Sequence, residues 1–508
     1  MAADRENIKG AYSVFQKIVG YFQFYSAESE EKSGHVKYAA AVFCFVIIFS
    51  LSVILHIDKS VFYDTSTVFM SILDSLHRMG VAQIALIDAA LLAAVLCLRE
   101  KRNLEAKSNW YISLFWYTWN ILFVTAGLTH NIGSGYLLSQ VIIMIAIPLL
   151  YRKRKVGGIA ELLDSAAMAV IAVMLAVTVI HMICFPYGYI THYIVNDDGS
   201  RTAWQLWSTY LNRYRGITSN PNILGEFMTM GILSSLYLIY RDTGKKYILY
   251  AIVLGFCIGQ AVMSISRTAL LSEILLFVAW MILYGKSRKG FRKFLLILLI
   301  AVLSALLTYF IINRGTDNYG LLSSLQAPVA VYAADGSSIT QRLEKSTDLN
   351  TFSSGRIEIW KIYLDHLNMG GHDVSYSYPI RVMNTLGNGY NYYSLAHNVA
   401  LEYAYRCGIP TGILFLAQEI LSFAFCIRVI FMRRNKMKDE YVFSVLAITA
   451  FLVTGSLEPI SEVFTRPLLL LYYLALLPVF AWGVIQDESD SRYVGTHDAA
   501  RRRTEVQV

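Results

Sequence analysis

The chain has 508 residues, of which 56% are hydrophobic, 13% aromatic and only 16% charged, where a soluble protein carries roughly a quarter charged. Apolar runs of about twenty residues, long enough to cross a bilayer core, recur along it, which excludes a soluble enzyme and leaves an all-α polytopic membrane protein. The net charge of +8 comes from short basic clusters at helix ends, a pattern that reports topology and not nucleic-acid binding.

In chain order, residues 1–36 are mixed in charge and read as a cytoplasmic N-terminal segment. The first apolar run, YAAAVFCFVIIFSLSVILHI, has the length of a retained helix and not of a cleaved signal core. About twelve spans are predicted: 38–57, 81–98, 110–128, 134–151, 166–185, 222–240, 247–265, 267–284, 294–313, 396–431 (broken at GIP), 441–457 and 467–485. Helices 1–9 thus occupy 37–313, a large extracytoplasmic loop with an amphipathic helix occupies 314–395, helices 10–12 occupy 396–486, and 487–508 form a solvated cytoplasmic tail.

Short basic loops fall on alternate turns: REKRNLEAK, YRKRK, RDTGKK, GKSRKGFRK and RRNKMK. By the excess of Lys and Arg on cytoplasmic loops, that face and both termini are inside. The long segments 187–221 and 314–395 lie on the opposite face, so any chemistry is expected there. The six cysteines are scattered among apolar runs without paired spacing and read as lipophilic fillers. The other histidines show no metal-ligand spacing. No Walker motif, H-E-x-x-H or G-x-S-x-G occurs.

Charged groups at the edge of a span are costly unless paired or hydrated, so each is a functional candidate. In LNRYRGITSNPNILGEF, Arg213 and Arg215 precede a helix begun at Pro221 and capped by Asn220 or Asn222. Two arginines beside free helix amides make an anion cradle; an interfacial anchor with a cap reads the same. In MSISRTALLSEILLF, Arg267 sits in a tight inter-helix turn, where it either snorkels, pairs with Glu273 or Glu226, or meets a ligand.

In TFSSGRIEIWKIYLDHLNMGGHD, Ser353 or Ser354 caps an amphipathic helix whose apolar face is Ile357, Trp360 and Leu364, or Ile359 and Tyr363. Arg356 lies in the first turn, the wrong end for the helix dipole. In YYSLAHNVALEYAYRCGIPTG, His397 stands at the outer edge beside Asn398. Imidazole titrates near pH 6.5 and can take a proton from an attacking hydroxyl; a backbone carbonyl could equally satisfy it.

RGITSNPN, SRTALL, GRIEIW and LAHNVALEYAYRCGIPTG, in this order over residues 210–480, resemble the O-antigen ligase and O-antigen polymerase superfamily. The resemblance implies a membrane glycosyltransferase of the C-type architecture in the bacterial cytoplasmic (inner) membrane, with its active site on the extracytoplasmic face. It implies a donor glycan on undecaprenyl diphosphate, transferred to an acceptor hydroxyl with inversion and without metal or cofactor. It carries diphosphate binding to Arg215, Arg267 and Arg356 and the catalytic role to His397, with Arg213, Asn222 and Asn398 in support. Expected partners are the lipid-linked oligosaccharide donor, a glycan or lipid acceptor, membrane lipids, and flippase and chain-length regulator proteins; nucleic acid is not among them.

Within that resemblance a surface-polysaccharide polymerase competes with a ligase that moves the finished chain to a lipid or protein. From another class, a lipid-linked glycan flippase or other transporter would use buried acids such as Asp88, Asp164 and Glu419, and would show repeat symmetry. A non-catalytic assembly partner is the third reading.

Overall fold

The computed structural model describes residues 31–58, 75, 79–98, 110–130, 132–152, 158–184, 189–195, 201–207, 209–210, 213–287, 290–313, 356–372, 380–383, 390–393, 395–460 and 463–480. The elements are α1 (Glu31–Leu55), α2 (Val81–Leu98), α3 (Trp110–Thr129), α4 (Ser134–Arg152), α5 (Gly158–Cys184), α6 (Pro221–Arg241), α7 (Tyr247–Ser264), α8 (Arg267–Gly285) and α9 (Phe291–Asn313), then α10 (Arg356–Asp365), α11 (Val399–Cys407), α12 (Ile409–Phe431), α13 (Asp439–Leu457) and α14 (Pro467–Phe480). Eleven of these helices are long and apolar enough to cross a membrane, and α14 adds a twelfth, shorter apolar one. The protein is therefore a multi-pass helical membrane protein.

Two spans, α6 and α9, show how surroundings set composition. The α6 span has a mean hydropathy of 1.4 and is 89% buried, whereas α9 reaches 2.9 and is 28% buried. The central helix can carry Thr229, Gly231, Ser234 and Ser235 because it faces protein; α9 faces lipid and must be apolar. Helices α7 and α9 meet through Gly255 and Gly259: a Cβ at Gly255 would lie 2.2 Å from the Ala301 carbonyl oxygen. Small residues four apart permit this backbone approach.

The expected break at GIP occurs at Gly408, separating the short α11 from the span α12. Three two-stranded antiparallel ladders stand in the long segments, β1 (Tyr189–Val195) with β2 (Arg201–Trp207), β3 (Thr209–Tyr210) with β4 (Arg213–Tyr214), and β5 (Ile380–Met383) with β6 (Tyr390–Tyr393). No alternating pattern in the sequence marked them.

Of the buried acids that favoured transport, Asp164 is spoken for: it accepts the Tyr237 hydroxyl at 2.6 Å and both contacts of Arg241 Nε at 3.2 and 3.1 Å. Arg241 also pairs with Asp439, so this cluster ties α5, α6 and α13 at the end opposite the site. Asp88 and Glu419 are also buried.

Candidate active site

His397 is held by its neighbours. Asn398 caps α11, its Oδ1 accepting from the Leu401 amide at 2.9 Å, and its Nδ2 donates to the Ser456 carbonyl at 3.4 Å. On the other side the Ala396 amide donates to buried Glu402 Oε2 at 2.7 Å, and Glu402 is paired in turn with Arg406. Pinned at both flanks, His397 adopts a left-handed backbone, φ 51°, which is uncommon for a side chain of this size. Its ring is about one-third exposed, with Nδ1 3.5 Å from Glu458 Oε2. That distance is an electrostatic contact and is longer than a hydrogen bond.

Glu458, the C-cap of α13, is the hub that the sequence did not single out. Its Oε1 accepts from Arg356 Nη2 at 2.5 Å and from Thr268 Oγ1 at 3.2 Å. Burial alone would push its carboxyl up, but the neighbouring His397, Arg356 and Arg466 outweigh it and hold it below its ordinary value. Arg356 is itself buried. Its unfavourable place in the first turn of α10 is thus explained by a carboxylate on another helix. On α10, Ile359 and Tyr363 form the packed face and Leu364 is exposed; the expected Ser353 or Ser354 cap lies outside the described residues.

The second group gathers at the start of α6. Asn220 caps that helix through its side chain, accepting from the Asn222 amide at 2.8 Å. Asn222 is thereby free to accept from Arg213 Nη2 at 2.6 Å, while Arg213 Nε donates to the Ser264 carbonyl at 2.8 Å. Arg215 pairs with Asp58, just beyond α1. The backbone there is also joined: Asp58 donates to Ile217 at 2.9 Å and Ser219 to His56 at 3.0 Å.

Buried His181 anchors this segment from below. Its Nε2 accepts from the Ile217 amide at 3.1 Å, so Nδ1 carries the proton and faces Gln260 Oε1. Gln260 then donates to Thr178 at 2.7 Å. A Cβ at Gly216, φ 54°, would sit 2.4 Å from His181 Nε2, so glycine is needed where the chain crosses the ring.

The turn between α7 and α8 joins the two groups. Ser264 takes Arg213, Ser266 caps α8 by accepting from the Ala269 amide at 3.4 Å, Arg267 opens the helix, and Thr268 touches Glu458. Gly225 of α6 packs on it: a Cβ there would lie 2.8 Å from the Ala269 Cβ. One stretch of five residues, Ser264 to Thr268, therefore contacts both the Arg213 side and the Glu458 side. Glu226, offered as a partner for Arg267, instead takes Arg466 at 2.6 Å, an arginine that the sequence reading passed over.

The arrangement offers several guanidinium groups around two buried carboxylates, with one imidazole at the rim. Such a set can bind a polyanion by exchange of carboxylate for phosphate and can move one proton. A family model described as O-antigen ligase matches residues 250–416. That stretch holds Arg267, Arg356, His397 and Asn398, while Arg213, Arg215, Asn222 and Glu458 fall outside it. No curated protein matches the chain.

Proposed function

We propose that this chain, whose residues 250–416 match a family model described as O-antigen ligase, is a membrane glycosyltransferase of the O-antigen ligase and polymerase superfamily that transfers a glycan from undecaprenyl diphosphate to an acceptor hydroxyl on the outer face of the cytoplasmic membrane. The observation that carries this reading is the Arg356–Glu458–His397 cluster, joined through Thr268 to the turn bearing Arg267.

The acceptor oxygen attacks the anomeric carbon of the donor sugar, and the bond from that carbon to the phosphate oxygen breaks. The electron pair leaves with the diphosphate, whose growing charge Arg267, Arg215 and Arg356 stabilise. Fixed guanidinium groups suit this because they meet phosphate oxygens in pairs and need no reorganisation. The hydroxyl proton passes to His397, whose Nδ1 faces Glu458, leaving Nε2 for the acceptor. Glu458 then stabilises the imidazolium, as a buried carboxylate does for a histidine base. Attack opposite the leaving group inverts the anomeric centre, and the step requires no metal.

Polymerisation is the preferred reaction, since no separate acceptor-binding domain is recognisable in the sequence; ligation of a finished chain is the second reading. Deletion of the gene, with complementation by wild type or His397→Ala, separates them on gels of surface glycan and of the lipid-linked pool. Single repeats at the surface without long chains identify the polymerase, and long chains left on the carrier identify the ligase. Full activity of an inserted His397→Ala protein would overturn both.

A further inference from the structure

The start of α11 is closed by two contacts that cross over His397. Asn398 is the N-cap, and its Oδ1 takes the Leu401 amide at 2.9 Å, as a capping side chain does. The returning contact departs from the common pattern. In a capping box the acid three residues beyond the cap reaches back to the amide of the cap itself. Here the acid is Glu402, one residue later, and its Oε2 takes the amide of Ala396, two residues before the cap, at 2.7 Å. The stretch so enclosed, Ala396 to Asn398, has His397 at its centre with φ 51°.

Both ends of this clamp are fixed. Ala396 is fully buried in a small core with Tyr363 of α10 and Ile380 of β5, against which Leu401 and Tyr405 of α11 pack. The Glu402 side chain is 1% exposed, and its other oxygen meets Arg406 Nε at 2.5 Å. A surface side chain would cap α11 without the cost of burying a charge. The imidazole itself has no such hold. Among the described residues its Nδ1 has no hydrogen-bond partner, and it stands 3.5 Å from Glu458 Oε2. Where an acid hydrogen-bonds a histidine base, that bond orients the ring; here the main chain must do so. Left-handed backbone is unfavourable for a residue with a Cβ, so a released His397 would leave it and re-aim the ring.

We propose that Glu402 is a positioning residue for His397: its grip on the Ala396 amide fixes the main chain that aims the imidazole at Glu458 on one side and at the acceptor on the other. The inference rests on the base role given to His397 above. The clamp needs an acceptor oxygen at position 402 and not a charge, because an amide oxygen also accepts from a backbone N–H. The ion pair with Arg406 is then a matter of stability, and the contact with Ala396 a matter of rate.

The test uses the full-length protein in nanodiscs with the lipid-linked glycan extracted from the deletion host, and reads kcat, KM and the unfolding temperature. Glu402→Gln keeps the acceptor oxygen but not the charge, and Glu402→Met removes both. The double variant Glu402→Met with Arg406→Met leaves no buried charge unpaired, so it removes the clamp while keeping the fold. The expected result is that both Met variants lose about tenfold in kcat with KM unchanged. Glu402→Gln should unfold at a lower temperature yet keep most of its kcat. Wild-type kcat in the double variant would overturn the proposal. So would a kcat that follows the unfolding temperature across the series, which would make Glu402 a helix cap alone. If His397→Ala is inactive in either case, the base role stands without the clamp. Full activity of His397→Ala would remove the base role and the clamp with it.

Discussion

Glu458 makes Arg356 and His397 one unit, and its removal should show that. Glu458→Gln keeps the shape and one acceptor oxygen for Thr268 but deletes the charge that faces the arginine and the imidazole. Leaving a buried cation without its partner costs ~3–5 kcal/mol, and the histidine loses its counter-ion in the proton-transfer step. Transfer by Glu458→Gln, measured as long-chain glycan per inserted protein, should fall about a hundredfold. The sign of the pH effect follows from a carboxyl held below its ordinary value of 4.5. The stability that Glu458 supplies is complete above that value and is lost as the pH falls through its lower folded-state value. Thermal unfolding of wild type should therefore weaken more than that of Glu458→Gln on acidification through this window; parallel curves would show that the carboxylate is not linked to folding.

His397 sits in strained backbone. Its φ of 51° costs a β-carbon residue roughly 1–2 kcal/mol, a strain shared by Ile265 at φ 48° in the turn between α7 and α8. Asparagine tolerates that region better. His397→Asn should unfold at the same temperature as wild type or higher, and should elongate no glycan in the complementation assay. A destabilised His397→Asn would show instead that the ring supports the fold.

At the scale of elements, the crossing of two glycines holds the loop helix in place. Gly371 and Gly408 both have φ 91°, and a Cβ on Gly408 would lie 2.3 Å from the Met369 carbonyl oxygen. Ile409 donates to Asn368 at 3.0 Å, the His372 ring contacts the Tyr405 carbonyl at 2.8 Å, and the His130 ring contacts the Gly370 carbonyl at 2.6 Å. The crossing thus fixes α10 on the junction of α11 and α12 and sets Arg356 against Glu458. Gly408→Ala should cost roughly 2 kcal/mol or more, lower the unfolding temperature and reduce transfer. Gly285→Ala, which meets nothing within 4 Å, should do neither; if Gly408→Ala is as silent, α10 is held by other contacts.

The spans and the break at Gly408 were legible in the sequence because length, apolarity and a Gly-Ile-Pro stop are local signals. A cap for α6 at Asn220 or Asn222 was legible for the same reason, and the structure gives it to Asn220. Arg356 gave half a signal, since its clash with the helix dipole showed that something distant must satisfy it. That partner, 102 residues away, was not legible: GSLEPI reads as an ordinary helix end with an interfacial acid. The tethers of His181 to Ile217 and of Asp58 to Arg215 were hidden for the same reason, as was the Arg466–Glu226 pair. Each depends on which helices pack together, and that is decided by the glycine seams and buried volumes of the whole bundle.

For the whole molecule, the distribution of charge decides which side the site faces. At the site end three arginines are paired with carboxylates: Arg215 with Asp58, Arg356 with Glu458, Arg466 with Glu226. The opposite end carries Lys245, Lys246, Lys286, Arg433, Arg434 and Lys436 in short connections; an excess of Lys and Arg in short loops favours the cytoplasmic side, so the proposed topology puts this end inside. Arginines matched to carboxylates exert little of that pull, so a site rich in guanidinium can still lie outside. With the exposed native Cys97 and with Cys184 replaced by serine, Asp365→Cys on α10 should react with a membrane-impermeant maleimide in intact cells. Lys436→Cys, in the connection between α12 and α13, should react only after permeabilisation. The reverse pattern would put Arg356 and His397 on the cytoplasmic side, where a donor already carried to the outer leaflet cannot reach them, and the proposed reaction would have to be abandoned with it.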